Sequence, residues 1–127
     1  MTYDDLIGKP YQDGGRGPDA YDCWGLAIEI HRRFGIDLPD FDISAKACEQ
    51  IHNKIIDQSY LNSWQEIEAP KMPCLILFKA HPRFVQHVGT FIGYGRFLHI
   101  REYGVAIERV LSPLWNKRIR GFWEYVD

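Results

Sequence analysis

The sequence has no long apolar run and no marked excess of charge of either sign. No stretch approaches the roughly 18 consecutive apolar residues of a membrane-spanning helix, so we expect no membrane span. Lys and Arg number 15 against 17 Asp and Glu, a formal charge of −2. The chain also has no run of basic residues with interleaved aromatic residues, which makes nucleic acid an unexpected partner.

The cysteines are few and widely spaced. Cys23, Cys48 and Cys74 form no CxxC pair, and their number is odd. The pattern therefore predicts neither a disulfide framework nor a structural zinc ribbon, and at least one thiol should be free. We expect no metal and no cofactor.

The N-terminus, Met1-Thr2-Tyr3-Asp4-Asp5, lacks the basic and then apolar order of a signal peptide. We therefore expect a protein made in the cytoplasm without a signal peptide. Its 127 residues, 46% of them hydrophobic, predict one globular domain over residues 1–127.

One amphipathic stretch organises the chain. Leu26, Ile30 and Phe34 recur at four-residue spacing and predict an apolar helical stripe. Asp22 suits the N-cap, and Gly35 is a typical stop signal. We therefore predict a helix over about residues 22 to 34, with Cys23 in its first turn.

The position of Cys23 is chemically significant. The first N–H groups of a helix lack internal partners and carry partial positive charge, which favours a thiolate over a thiol. Cys23 is therefore a candidate nucleophile. The alternative is a small buried apolar residue, as most free cysteines are.

The rest of the chain predicts one more helix and then strands. Ile43, Ala47, Ile51 and Ile55 predict a helix over about 43 to 60, with Cys48 and His52 beside its stripe. Strands are predicted at 74–78, 86–92 and 96–101, then from Val105, and last over 119–126. Helices followed by strands predict an α+β fold with a mostly antiparallel sheet.

Two histidines flank a predicted hairpin turn at Gly93-Tyr94-Gly95. A turn centred near Tyr94 pairs residues whose numbers add up to about 187 or 188, and His87 and His99 add up to 186. We therefore expect these two residues to be near neighbours on one face of the sheet.

A cysteine nucleophile needs a base, and that imidazole needs a polar partner to orient it. Cys23, His87 and His99 supply these three roles in order. The backbone N–H of Cys23 and the phenol of Tyr11 are candidate oxyanion donors. The same cysteine and histidines also suit zinc, but they form no compact ligand motif and lack an evident fourth ligand.

Two segments of the chain resemble the NlpC family of papain-like cysteine peptidases. They are YDCWGLAIEIHRRFGIDLP, from Tyr21, and HVGTFIGYGRFLHI, from His87. The family pattern is an Asp-Cys-Ser/Trp-Gly-Leu helix start, then His-Val-Gly followed by apolar residues and Ile-Gly, then Phe, an apolar residue and His. The resemblance covers about residues 11 to 110.

The resemblance implies that Cys23 is the nucleophile, His87 the base and His99 the residue that orients His87. It places Tyr11 near the oxyanion, and Asp22 and Trp24 join it as candidates for oxyanion or substrate binding. The implied fold is papain-like, with N-terminal helices and a cysteine-bearing helix packed on a small, mostly antiparallel sheet.

Members of this family cleave peptidoglycan stem peptides through an acyl-enzyme on cysteine, commonly between γ-linked D-glutamate and meso-diaminopimelate or lysine. Trp24 and the stretch from Gly35 to Asp40 most resemble the branch found in bacteriophage and prophage tail-assembly proteins. The resemblance thus implies a tail-associated enzyme that acts at the cell wall, with other phage tail proteins as partners.

Two other functions remain open from the sequence. One is a non-catalytic tail-assembly module of the same fold, because a fold does not establish activity. The other is a thiol amidase or acyltransferase that acts on another amide or on a lipid.

Overall fold

The structure, a computed structural model, describes residues 2–40, 63–79 and 87–126, and of His87 it describes the backbone only. The elements within these ranges are, in chain order, α1 (Cys23–Arg33), β1 (Trp64–Ile67), β2 (Cys74–Phe78), β3 (His87–Gly93), β4 (Arg96–Arg101), β5 (Gly104–Arg109), α2 (Pro113–Asn116) and β6 (Ile119–Tyr125). The predicted helix over 43–60, with Cys48 and His52, lies outside the described residues. Among the helices described, none has the length and apolar character to cross a membrane.

Helix α1 begins and ends close to its predicted limits. Asp22 is the N-cap, and its carboxylate accepts a hydrogen bond from the Gly25 N–H at 2.7 Å. The chain leaves the helix through Gly35, whose φ of 79° is a conformation that glycine adopts without strain. Leu26 and Ile30 of the predicted stripe are buried.

The six described strands form one antiparallel sheet in the order β1-β6-β2-β3-β4-β5. The strands predicted from the five apolar runs are confirmed as β2 to β6. The last strand of the chain, β6, lies between β1 and β2, so the end of the chain completes the sheet. A small antiparallel sheet with few helices agrees with the predicted α+β class.

Two short elements were not predicted. Strand β1 has the sequence Trp-Gln-Glu-Ile, which carries no apolar alternation, and its conformation is stabilised by pairing with β6, as in Trp64 opposite Tyr125. Helix α2 is a single turn in which the Ser112 carbonyl accepts hydrogen bonds from the N–H groups of Trp115 and Asn116. One turn is too short to show a helical period.

The hairpin between β3 and β4 forms as predicted. Thr90 lies opposite Leu98 and Phe91 opposite Phe97, so paired residue numbers add up to 188. All three turn residues have positive φ: 86° at Gly93, 56° at Tyr94 and 69° at Gly95. Tyr94 is the non-glycine among them, and its side chain is exposed.

The sheet separates two apolar clusters. The helix-side cluster joins α1 to one face and includes Cys23, Trp24, Leu26, Ile30, Leu75, Leu77, Val88, Leu98 and Ile100. The far cluster lies on the other face and consists of Cys74, Ile76, Phe78, Phe91, Phe97, Val110 and Trp115. Because the residues of β2 alternate between the two clusters, both faces of this strand are buried, which explains its continuous apolar run.

Candidate active site

Cys23 is the first residue of α1, as predicted, and its side chain is buried in the helix-side cluster. The structure records Cys23 as disulfide-bonded, whereas Cys74 is a free, buried cysteine. The expectation of a free thiol is therefore met by Cys74, but the sequence did not predict a disulfide at Cys23. Burial raises the pKa of Cys74 to about 11, so this second thiol is a poor nucleophile near neutral pH.

Asp22 has a structural role. Its side chain is 1% exposed, and its Oδ1 accepts hydrogen bonds from the Gly25 N–H at 2.7 Å and from the Arg16 guanidinium at 2.8 Å. Asp22 thus orients the helix start that carries Cys23. Its expected part in oxyanion or substrate binding stays a prediction.

The loop before α1 packs directly onto the first turn of the helix. The Asp22 N–H donates to the Gly15 carbonyl at 3.1 Å, and a Cβ atom on Gly25 would collide with the same carbonyl oxygen. The Gln12 N–H donates to the Tyr21 carbonyl at 3.0 Å. These contacts hold the glycine-rich loop against the end of the helix that carries Cys23.

Trp24 is a core residue. Its indole is fully buried, its Nε1–H donates to the Pro39 carbonyl at 2.9 Å, and its ring meets the Trp64 ring edge-on at 6.1 Å. The indole is therefore part of the core, and the expected part of Trp24 in oxyanion or substrate binding stays a prediction.

Tyr11 lies in the loop and is 39% exposed. Its hydroxyl donates to Asp13 Oδ1 at 3.0 Å, and burial together with Asp13 raises the pKa of Tyr11 to about 12. The phenol is therefore a protonated donor at neutral pH that is engaged by Asp13 in this structure. Its predicted oxyanion role would require the hydroxyl to leave that carboxylate.

His87 begins β3, where its backbone pairs with that of Phe78. The imidazole of His87 lies outside the described part of the chain. The pair sum of 188 in the hairpin, continued one step, puts Gly89 opposite His99, and position 87 lies two residues from Gly89 on the same strand. The two histidine positions are therefore close across the ladder, while the predicted contact between their rings stays a prediction.

His99 is 1% exposed, and its Nε2 has two polar contacts. One is with Glu108 Oε2 at 3.2 Å and the other with the Tyr103 hydroxyl at 3.1 Å. The ring also meets Trp115 edge-on at 4.9 Å and Phe97 at 5.2 Å. These neighbours fix the orientation of the imidazole.

The pKa of His99 is lowered, chiefly because burial disfavours the charged ring, while Glu108 opposes that effect. A neutral imidazole carries one proton, and a carboxylate can only accept a hydrogen bond. The contact with Glu108 therefore assigns that proton to Nε2 of His99. Nδ1 is then the acceptor nitrogen, which is the form needed to orient a second imidazole.

Sequence reasoning did not find Glu108, Tyr103 or Trp115. His99 pairs with Ala106 in the ladder between β4 and β5, so Glu108 is its diagonal neighbour two residues along. Glycine at position 104 is typical of a turn, and a register built on that turn brings Glu108 to His99. Trp115 comes from α2 and had no local signal.

The described contacts place Cys23 and His99 in different surroundings. Cys23 belongs to the helix-side cluster, whereas His99 contacts Phe97 and Trp115 of the far cluster. The approach of an imidazole to the Cys23 sulfur is therefore still a prediction.

The fold and the site define an α+β protein with a cysteine at a helix start and an anchored histidine in an antiparallel sheet. A model of the NlpC/P60 family matches residues 8–124, which is nearly all of the chain. The chain belongs to the NlpC/P60 family.

Relatives and one solved structure agree with this membership. The chain is 28% identical over 116 residues to the probable endopeptidase p60 of Listeria grayi, covering 91% of this chain and 20% of that protein. It is 30% identical over 118 residues to the murein DD-endopeptidase MepS/murein LD-carboxypeptidase of Escherichia coli K12, covering 91% of this chain and 55% of that protein. An NlpC/P60 family protein from Bacillus cereus superposes with a TM-score of 0.64 at 24% identity, covering 96% of this chain and 37% of that one, which shows the shared fold.

Proposed function

We propose that this protein is a cysteine endopeptidase that cleaves the stem peptides of peptidoglycan. The observation that carries the proposal is the position of Cys23 at the start of a capped helix, in a chain of the NlpC/P60 family. The relatives named as a probable endopeptidase p60 and a murein DD-endopeptidase support a cell-wall substrate. The chain spans 20% and 55% of those two proteins, so their activities support the proposal only by analogy.

The proposed reaction begins with the Cys23 thiolate. Its sulfur attacks the carbonyl carbon of a stem-peptide bond, and the oxyanion that forms is held by the backbone N–H groups at the start of α1. His87, as imidazolium, gives its proton to the leaving amine, and the C–N bond breaks to leave a thioester on Cys23. His87 then takes a proton from water, the hydroxide attacks the thioester, and the C–S bond breaks to release the acid.

His99 acts in this proposal as the residue that orients His87. The contact with Glu108 places the proton of neutral His99 on Nε2. Nδ1 can then accept an N–H from His87, which leaves the other nitrogen of His87 free to exchange protons with the substrate. The buried ring contacts of His99 keep this acceptor in a single orientation.

The proposed bond lies between γ-linked D-glutamate and diaminopimelate or lysine. We also propose that the enzyme acts as part of a phage or prophage tail, with other tail proteins as partners that bring it to the wall. The support for the bond is the resemblance to the NlpC family, and the support for the tail role is the resemblance carried by Trp24 and the residues from Gly35 to Asp40. A tail tip would deliver the enzyme to the wall.

The test is to incubate the reduced protein with defined tripeptide and tetrapeptide stems that contain either diaminopimelate or lysine, and to weigh the products. The wild type should release two fragments that identify the bond. Cys23→Ala should release none. Cys74→Ala is the matched control, because it removes a thiol that is buried in the far cluster, and it should cleave as the wild type does.

Two results would overturn the proposal. Cleavage by Cys23→Ala at the wild-type rate would exclude Cys23 as the nucleophile. Failure of the reduced, folded wild type to cleave any stem would favour the non-catalytic tail module or a thiol enzyme with another substrate.

A further inference from the structure

We propose that Arg16 is a positioning residue whose guanidinium neutralises the buried Asp22 carboxylate and so keeps the neighbouring Cys23 sulfur reactive. This inference rests on the proposed function, in which Cys23 is the nucleophile. Arg16 itself need not touch the substrate, since it acts through Asp22.

The contacts of Arg16 join three parts of the chain. Its Nη1 donates to Asp22 Oδ1 at 2.8 Å and to the Gly15 carbonyl at 2.9 Å, and its Nε donates to Asp40 Oδ1 at 2.8 Å. The Asp22 end of this network is buried, with a side chain 1% exposed, whereas the Asp40 side chain is 60% exposed. The inner ion pair is therefore shielded from water, and the outer one is not.

The Asp22 carboxylate has few groups to balance its charge. Oδ1 receives the Gly25 N–H and the Arg16 guanidinium, and for Oδ2 the described part of the chain offers no hydrogen-bond donor. An ionised carboxylate in a low-dielectric interior needs an opposite charge nearby. Arg16 is the cation that the structure places there.

This balance matters because Asp22 directly precedes Cys23. A negative charge close to a thiol disfavours the thiolate, whereas the helix start favours it. The N-cap carboxylate that organises the helix would thus oppose the chemistry of the next residue. A guanidinium 2.8 Å from that carboxylate cancels most of its field and leaves the helix N-terminus to stabilise the sulfur anion.

The position of Arg16 is set by the backbone around it. The Asp22 N–H donates to the Gly15 carbonyl at 3.1 Å, and Gly25 leaves no room for a side chain against that carbonyl. Arg16 also forms an antiparallel bridge with Tyr21. The backbone contacts of the loop therefore fix the position of Arg16 next to Asp22.

Apart from the substituted residue, the charged and titratable groups near this end of α1 are the same in each variant. They are Asp40 and Tyr21 in the contacts of Arg16, Tyr11 with Asp13 in the preceding loop, and His87 and His99 from the sheet under the proposed function. The measurement is the alkylation rate of Cys23 by iodoacetamide from pH 5 to 9 in fully reduced protein, read for each cysteine by mass spectrometry. The raised pKa of Cys74 separates its signal from that of Cys23.

Arg16→Gln should raise the pKa of Cys23 by about one unit, and so lower its alkylation rate below that pKa by roughly tenfold. Asp40→Asn removes the exposed partner alone and should leave the rate within about twofold of the wild type. Arg32→Gln is the matched charge control. It also removes one positive charge, but from the other end of the same helix, where Arg32 pairs with Glu29, and it should leave the rate unchanged.

A second background separates charge from loop structure. Asp22→Asn keeps a good N-cap and removes the negative charge that Arg16 balances. In this background, Arg16→Gln should change the Cys23 rate by less than about twofold, because the two sites are coupled only through charge. A tenfold loss in both backgrounds would mean that Arg16 only holds the loop, and the inference would be overturned.

Equal Cys23 rates in the wild type and in folded Arg16→Gln would also overturn the inference. If Arg16→Gln fails to fold, Arg16→Lys tests the inference in its place, because lysine keeps the positive charge but lacks the planar guanidinium group. A folded Arg16→Lys should retain the Cys23 rate within about threefold, and a tenfold loss would contradict the role of the charge.

The outcome is independent of the peptidase assay. The Cys23 alkylation rate could depend on Arg16 in a protein that cleaves no stem peptide. That result would contradict the proposed function and support the charge relationship between Arg16 and Asp22. If the wild type cleaves stem peptides and the Cys23 alkylation rate is the same in Arg16→Gln, only the inference about Arg16 is contradicted.

Discussion

Gly25, in the first turn of α1, lies so close to the Gly15 carbonyl that the helix and the preceding loop meet backbone to backbone. A Cβ atom on Gly25 would collide with that oxygen, and the obstacle is main chain that cannot rotate away. The same contact places Arg16 beside Asp22. The start of the cysteine-bearing helix is therefore built around the absence of a side chain at position 25.

Gly25→Ala should destabilise the protein by at least about 2 kcal/mol, because overpacking against a fixed backbone exceeds the gain in helix propensity. Urea unfolding measures the change. Gly35→Ala is the control, since a Cβ at Gly35 meets nothing within 4 Å and the loss comes only from its φ of 79°. That loss should be about 1 kcal/mol. Equal losses in the two variants would show that the Gly15 contact relaxes readily.

Peptidase activity should require a reductant, because the structure records Cys23 as disulfide-bonded and only a free thiolate is a nucleophile. Protein purified without reductant should show little stem-peptide cleavage, and dithiothreitol should restore it together with alkylation of Cys23. Cys74→Ala should behave in the same way. Full activity in protein whose Cys23 still resists alkylation would contradict this prediction.

Glu108→Gln should lower kcat by about tenfold, equivalent to about 1.4 kcal/mol in the barrier, because His99 loses the carboxylate that holds it. Glu108 raises the pKa of His99, so the variant should lower that pKa further, which NMR titration of the imidazole measures. Glu102→Gln is the control, since Glu102 is exposed and lies 3.8 Å from Arg101 at the neighbouring turn. A fall in kcat without any change in the His99 titration would point to a different role for Glu108.

His31 should make the protein less stable in mild acid. Burial lowers the pKa of His31 from 6.5 to about 4, and its Nδ1–H donates to the Ala27 carbonyl at 2.9 Å. The unfolded chain therefore binds a proton more readily than the native state does below pH 6.5. The contribution of the neutral ring is complete above that pH and is lost as the pH falls from about 6.5 to about 4, by up to roughly 3 kcal/mol.

Urea unfolding at several pH values between 7.5 and 4.5 measures this effect. His31→Gln should be less stable at pH 7.5 and should show a flatter pH dependence than the wild type. Because the lowered pKa of His99 acts in the same direction, only the difference between the two proteins reports on His31. Parallel curves would exclude His31 as the source.

Much of the fold was readable from local patterns. The stripe of Leu26 and Ile30 with Asp22 before it predicted α1, because a helical period and a capping side chain are properties of adjacent residues. The turn at Gly93-Tyr94-Gly95 predicted the register of its hairpin for the same reason. Strand β1 was missed because its conformation depends on pairing with β6, far along the chain.

Some residues of the candidate site were predictable from the sequence and others were not. Sequence motifs contain Cys23, His87 and His99, and the joint action of these three residues stays a prediction. The burial of Asp22 and Trp24 was not evident from the sequence, because both side chains carry polar groups. Glu108 reached His99 only through the ladder between β4 and β5.

By itself, the sequence determined the helix that begins at Cys23, the strands around the hairpin and the resemblance to a peptidase family, because each depends on residues close together in the chain. Tertiary structure alone decided that Arg16 compensates Asp22 and that Glu108 anchors His99. These pairs form because loop packing and strand register bring separated residues within hydrogen-bond distance, and local propensity does not encode such distances.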